Sequence, residues 1–119
     1  MDHNFVVVLI VEDGVNHDEA VGIWNEIKRC VVSTMTIIEL GYFLLKHGIG
    51  LDFLEQLVTD PKIDMELIIF RDIMFILHHI ENVKQYEDLN DLIILSTSRR
   101  RGTPLMTFDK ELIALQKEV

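Results

Sequence analysis

Short apolar segments alternate with longer segments of helical periodicity along this chain, and that alternation limits the folds it can adopt. Three short segments have strand composition, at residues 31–33, 65–70 and 104–108, and the first and last read as buried strands. Because helical segments separate them, the connections are crossovers that place the strands parallel. The sequence therefore predicts an α/β fold, a three-layer α/β/α sandwich with a short parallel sheet.

Helices in the first two thirds of the chain are predicted from their ends and their apolar periodicity. Asn16 and Glu19 have capping-box spacing before an amphipathic segment that extends to about Lys28. Further helices are predicted over residues 36–46, closed by Gly48, and over residues 51–58 and 72–83.

The C-terminal third has the clearest helix signals. Asp88 is a predicted N-cap for a helix over residues 89–101, and Gly102 follows where a left-handed residue is favoured. Asp109 is a predicted cap for a last helix that ends near Lys117. Asp91 is predicted to lie in the first turn of its helix. The order in this part of the chain is thus an acid, a helix, a glycine, an apolar segment and a second acid.

Length and composition indicate one packed domain over residues 1–119, with 49% hydrophobic residues. Cys30 is the single cysteine, so an internal disulfide is excluded, which fits a reducing compartment. The longest apolar run, residues 5–11, is too short to span a bilayer, and no basic region precedes it. We expect a cytoplasmic protein without membrane association.

The formal net charge of −9 argues against a protein that binds nucleic acid by neutralising many phosphates. It does not argue against a nuclease. A site for a divalent cation gathers Asp and Glu, and the ion then supplies the positive charge that faces a phosphate.

Glu39, Asp91 and Asp109 are expected at the edge where parallel strands end and the following helices begin, which is where such folds bind ligands. Asp2 would lie at the same edge if a strand preceded it. Each one alone is explained by the helix dipole, which favours an acid in the first turn by roughly 0.3–1 kcal/mol. Together they are costly, since two charges about 4 Å apart repel by on the order of 4 kcal/mol at an effective dielectric of 20. A bound Mg²⁺ or Mn²⁺ is the usual compensation.

The same segments resemble the PIN domains, and the resemblance covers nearly the whole chain. Asp2-His3-Asn4 is similar to the family's opening Asp-x-Asn, and STMTIIEL is similar to the second motif, whose Glu is Glu39. LNDLIILSTSRRRGTPLMTFDKEL is similar to the third and fourth motifs together, which contain Asp91 and Asp109.

The resemblance implies a metal-dependent ribonuclease of the toxin type, in which the four acids hold Mg²⁺ or Mn²⁺ and a water attacks an RNA phosphodiester. Asn4 and Thr107 would orient the carboxylates. The expected partners are an RNA substrate, an antitoxin protein and a second copy of the chain.

Two features leave alternatives open. The family carries a strand before its first Asp, whereas only Met1 precedes Asp2 here. The chain could start upstream of Met1, or it could be a truncated, inactive PIN module that acts by binding a partner. Residues 5–11 have strand composition, although the family places a helix there, and helix is the prediction.

A strand at residues 5–11 would instead make the chain similar to a receiver-like signalling domain. Glu12 and Asp13 would then be its acidic pair and Asp72 its phosphoacceptor.

The basic run of residues 99–101 is the main cationic cluster of the sequence. These arginines favour a helix C-terminus, and they lie roughly 12–15 Å along the helix from Asp91. At that distance they could contact an RNA backbone but could not take part in the chemistry.

Overall fold

The computed structural model describes residues 16–119, so the predictions for residues 5–11, Asp2 and Asn4 lie outside the described part. Six α-helices, two strands and one 3-10 turn follow one another in these residues. In chain order they are α1 (His17–Glu26), β1 (Cys30–Ser33), α2 (Thr34–Lys46), α3 (Asp52–Thr59), β2 (Ile63–Glu66), α4 (Phe70–His78), the 3-10 turn (Ile80–Asn82), α5 (Tyr86–Arg100) and α6 (Lys110–Glu118). Within residues 16–119 no helix is long and apolar enough to cross a membrane.

The two strands pair in parallel, with Cys30 opposite Ile63 and Ser33 opposite Glu66. Helices α2 and α3 form the crossover between them. The predicted α/β class with a short parallel sheet is therefore confirmed.

Side chains of β1 alternate between two helical layers, as the pleat of a strand requires. Cys30 and Val32 are buried in one cluster with side chains from three helices. These side chains are Ala20 of α1, Leu40 and Leu44 of α2, and Leu57 of α3. Val31 and Ser33 instead line a small cavity with Ile94, Thr97 and Ser98 of α5. The sheet thus lies between α1–α3 on one face and α5 on the other.

Helix α5 is the central helix of the domain, because every residue from 92 to 98 is buried. Its three consecutive hydroxyl groups all have acceptors. Ser96 Oγ donates to Asp72 Oδ1 at 2.7 Å, Thr97 Oγ1 to the Ile93 carbonyl at 2.9 Å and Ser98 Oγ to the Thr103 carbonyl at 2.6 Å. The burial of these polar residues is therefore not costly, because each hydroxyl group replaces its hydrogen bond to water with one inside the protein.

The third predicted strand, residues 104–108, is not part of the sheet found in residues 16–119. Met106 and Phe108 are partly buried against the core cluster, so the apolar composition indicated the packing of this segment but overstated its burial. A strand also needs a partner for its backbone, and Pro104 has no N–H to donate. The composition of the segment could not show whether a neighbouring strand was available.

Strand β2 lies earlier in the chain than the predicted strand at residues 65–70. Its pairing ends at Glu66, opposite Ser33, where β1 itself ends. Asp72 then accepts a hydrogen bond from the Ile69 N–H at 3.0 Å, and α4 begins at Phe70. Residues 67–70 therefore form no strand despite their composition. Strand β1 is too short to pair with them, and α4 begins at Phe70.

Helices α2 and α6 begin with a side-chain cap, whereas α1 does not. Ser33 and Asp109 are extended, and their side chains accept from the N–H groups of Met35 and Glu111. Asn16 has φ −106° and ψ 15° and makes no side-chain cap bond, so the predicted capping box of α1 was wrong. Gly48 and Gly102 have positive φ angles after α2 and α5, as predicted.

Candidate active site

Glu39 lies in the second turn of α2, which starts directly where β1 ends. It lines a cavity of about 600 Å³ between α2 and the beginning of α5, together with Tyr86, Glu87 and Asn90. The first turns of α5 are therefore beside α2, at the edge where β1 ends. This is the edge at which the sequence predicted a site.

The other end of α5 lies at the opposite edge of the sheet. Arg101 and Thr103 line a separate cavity with Cys30, the first residue of β1. Helix α5 thus runs against the direction of the strands, which brings its acidic N-terminal turns to the predicted site and takes its arginines away from it.

Asp91 is partly buried in the second turn of α5, and not in the first turn as predicted. The helix starts at Tyr86 because Asp88 accepts hydrogen bonds from the backbone N–H groups of Lys84, at 2.8 Å, and Gln85, at 3.1 Å. Asp88 is therefore the third helical residue, and the prediction that it is the N-cap was wrong by one turn.

The surroundings of Asp91 are acidic. It lines a cavity of about 490 Å³ between the start of α5 and α6, where the basic residue is Lys84. The acids that share this cavity are Glu81, Asp88, Glu111 and Glu118. Such an excess of negative charge is suited to a cation.

Asp109 caps α6, since its Oδ1 accepts the Glu111 N–H at 2.9 Å. Thr107 Oγ1 accepts the N–H of Asp109 at 3.0 Å and so fixes the backbone of the capping residue. The predicted cap is confirmed.

The chemistry of these acids fits Mg²⁺ or Mn²⁺, because both ions prefer carboxylate oxygen. Their arrangement fits only in part. Within residues 16–119, no group of three or more His, Cys, Asp or Glu side chains is placed to hold a metal ion. Glu39, Asp91 and Asp109 therefore do not form a closed site by themselves, and Asp2, the fourth predicted ligand, lies outside the described residues.

An ion-pair network that the sequence did not predict links β2, α4 and α5. Arg100 pairs with Glu66 and Asp72, and Arg101 pairs with Asp64 and Glu66. Of the three predicted RNA-contacting arginines, these two are thus held by carboxylates. The alternation of Asp64 and Glu66 with Ile63 and Met65 is the signal that could have placed both acids on one face of a strand.

The network lowers the pKa of its carboxyl groups. The hydrogen bond from Arg101 lowers the pKa of Asp64, and that from Arg100 lowers the pKa of Glu66. Burial alone would raise the pKa of Asp72, but hydrogen bonds from the Ile69 N–H, Arg100 and Ser96 outweigh burial and lower it.

The position of Asp72 argues against the receiver-like alternative. A phosphoacceptor must be reachable, whereas Asp72 is fully buried. Its carboxylate oxygens accept from Ser96, Ile69 and Arg100. This acid stabilises the fold.

Comparison with known proteins gives a family and a fold. The family model described as PIN domain matches residues 1–118. The crystal structure of Mycobacterium tuberculosis VapC20, a Sarcin-Ricin loop cleaving toxin, is similar over 96% of this chain and 92% of that chain, with a TM-score of 0.77 and 15% sequence identity. At this identity the likeness concerns the fold. No curated protein sequence matches the chain.

Proposed function

The chain belongs to the PIN domain family, and on that basis we propose that it is a metal-dependent ribonuclease that cleaves RNA phosphodiester bonds. The observation that carries the proposal is the shared cavity of α2 and α5. Glu39 lines it together with Tyr86, Glu87 and Asn90 of α5. Asp91, the next residue of that helix, lines the separate cavity between α5 and α6. Two acids of the family's motifs thus come from helices that meet at one edge of the sheet.

In this proposal Asp2, Glu39, Asp91 and Asp109 are the metal ligands. The bound Mg²⁺ or Mn²⁺ would polarise the phosphodiester and make the attacking water more acidic. One of the carboxylates would accept the proton of that water. Asn4 and Thr107 would keep the carboxylates oriented.

The proposed partners are an RNA substrate, an antitoxin protein and a second copy of the chain in a cytoplasmic homodimer. A run of exposed apolar side chains along α4 supports the homodimer, since large exposed apolar patches mark interaction surfaces. This run, the α4 stripe, comprises Phe70, Ile73 and Leu77 of α4 and continues to Ile80 in the 3-10 turn. Spacings of three and four residues place these side chains on one side of the helix.

An inactive PIN module that acts by partner binding is the second candidate. Two observations favour it. The described acids do not form a three-ligand group, and Ile38, Tyr42 and Leu45 form another exposed apolar run along α2, beside Glu39. In this alternative the antitoxin-like partner would cover α2, and the acids would have no catalytic task.

Cleavage of an RNA panel separates the two candidates. We expect the wild-type protein to cleave RNA with Mn²⁺ and to be inactive with EDTA. Glu39→Gln should reduce cleavage by at least about a hundredfold, since it removes one metal ligand. Asp52→Asn is the matched control because Asp52 is an exposed acid in the first turn of α3. Intact RNA after incubation of the wild type with Mn²⁺ would favour the partner-binding module.

A further inference from the structure

A cationic cavity of about 370 Å³ lies between α4 and α5. We call it the cationic groove, and it is lined by Arg71, Met74, Phe75, His78, Ser96, Arg99 and Arg100. None of these described lining residues is acidic, although the chain has 20 acids and only 11 Lys and Arg. The lining of the groove thus contains basic side chains and no acidic one.

Arg71 has no structural reason to be cationic. It is the exposed second residue of α4, where the helix dipole disfavours a positive charge. It forms none of the ion pairs between residues 16–119. His78 is also exposed and lies seven residues later, about two turns along the same side of the helix.

Arg99 faces the groove in a fixed orientation. Its Nη1 donates to the Val119 main-chain oxygen at 2.7 Å and its Nη2 to the Gln116 carbonyl at 3.1 Å. Its guanidinium carbon lies 5.8 Å from the ring centre of Phe75. Both acceptors are main-chain oxygens at the end of α6, so Arg99 is not paired with a side-chain carboxylate, whereas Arg100 is paired with Glu66 and Asp72.

We propose that the cationic groove binds the phosphate backbone of the RNA substrate through Arg71 and His78, with Arg99 beside them. This inference rests on the proposed ribonuclease function and adds a substrate-holding site to it. Arginine binds phosphate oxygens through parallel N–H groups. The side chains of Met74 and Phe75 add apolar surface to the lining.

The position of the groove suits a strand that also reaches the acids. Asp91 and Arg99 are eight residues apart on α5, about 12 Å along the helix axis. The groove also lies about 100° around α4 from the α4 stripe, so a second copy on that stripe would leave it open.

The test is binding of a fluorescent single-stranded RNA in EDTA, where cleavage cannot interfere, at several salt concentrations. Arg71→Gln combined with His78→Gln should weaken binding on the order of fivefold and reduce the salt dependence by about 0.7 in slope for each lost phosphate contact. With Mn²⁺, KM should rise while kcat is retained. Lys28→Gln, which removes an exposed cation outside the groove, should change neither quantity.

The outcomes separate this inference from the proposed function. RNA binding that depends on Arg71 in a protein that cleaves no RNA would support the groove and contradict the ribonuclease. A double variant that binds and cleaves RNA like the wild type would overturn the groove and leave the ribonuclease standing. If polyglutamate binds more tightly than RNA and loses its affinity in the double variant, the groove serves an acidic protein, and the inference is also overturned.

Discussion

Arg100 of α5 and Asp72 of α4 form a buried ion pair, in which Nη2 lies 3.0 Å from Oδ2 and Nε lies 3.3 Å from Oδ1. The Asp72 side chain is fully buried and that of Arg100 is 13% exposed. Ser96 and the Ile69 N–H complete the hydrogen bonding of the carboxylate. This pair fixes α4 against α5 and so positions the cationic groove between them.

Removal of this carboxylate should destabilise the protein strongly. Asp72→Ala removes the buried partner of Arg100 and leaves it only Glu66, which should cost about 3 kcal/mol and lower Tm by roughly 10 °C. Urea denaturation at neutral pH measures the change. Asp64→Ala is the control, because that carboxylate pairs with Arg101 near the surface and should matter far less. Equal midpoints for the wild type and Asp72→Ala would contradict the role of the pair.

The lowered pKa of Asp72 also predicts how stability depends on pH. A carboxyl group whose pKa is lower in the folded state stabilises the fold above its unfolded pKa of about 3.9 and loses that contribution as the pH falls. The free energy of unfolding of the wild type should therefore decrease from about pH 4 downward. Asp72→Asn should reduce this slope without abolishing it, since Asp64 and Glu66 also have lowered pKa values. An identical slope in both proteins would exclude Asp72 as a source of acid sensitivity.

Two substitutions of Asp109 separate its role as a helix cap from its proposed role as a metal ligand. Asp109→Ala should cost about 1 kcal/mol because the cap bond to the Glu111 N–H is lost. Asp109→Asn should retain that stability, since asparagine caps as well as aspartate, and should still lose RNA cleavage. Asn16→Ala should change stability little, as Asn16 makes no cap bond. Full cleavage by Asp109→Asn would remove Asp109 from the proposed ligands.

The proposed homodimer predicts a specific effect of Leu77→Glu. Leu77 is 53% exposed within the α4 stripe, so a charge there should disrupt the dimer without unfolding the monomer. Light scattering after size-exclusion chromatography should show a dimer for the wild type and a monomer for the variant. Val58→Glu, the same kind of change at an exposed apolar position on α3, should remain dimeric. A monomeric wild type would contradict the proposal.

Features of the fold that depend only on neighbouring residues in the sequence were predicted well. The strand that ends at Ser33, the cap at Asp109 and the glycines after α2 and α5 were all evident from nearby residues. Burial was correctly indicated for Val32 and Ser33 but only in part for residues 104–108, where Met106 and Phe108 are half-buried. The extent of β2 was not predicted, because it depends on pairing with β1, and the composition of residues 65–70 says nothing about that register.

The site was predictable in its location more than in its geometry. Motif spacing placed Glu39 and Asp91 on helices that meet at one edge of the sheet. Motif spacing could not show that α5 begins one turn earlier than predicted, where Asp88 accepts hydrogen bonds from two backbone N–H groups. The ion pairs of Arg100 and Arg101 join residues more than 25 positions apart, so no local pattern revealed them.

The Mn²⁺-induced change in Tm of Asp91→Asn tests the proposed metal site most directly. Metal that binds the folded state at about a hundred times its Kd adds about 2.7 kcal/mol to stability. The wild type and Asp52→Asn should therefore both gain several degrees in millimolar Mn²⁺. Asp91→Asn should gain much less, although its stability without metal should not fall, because repulsion between carboxylates is relieved. Equal Mn²⁺ shifts in all three proteins would contradict the metal site.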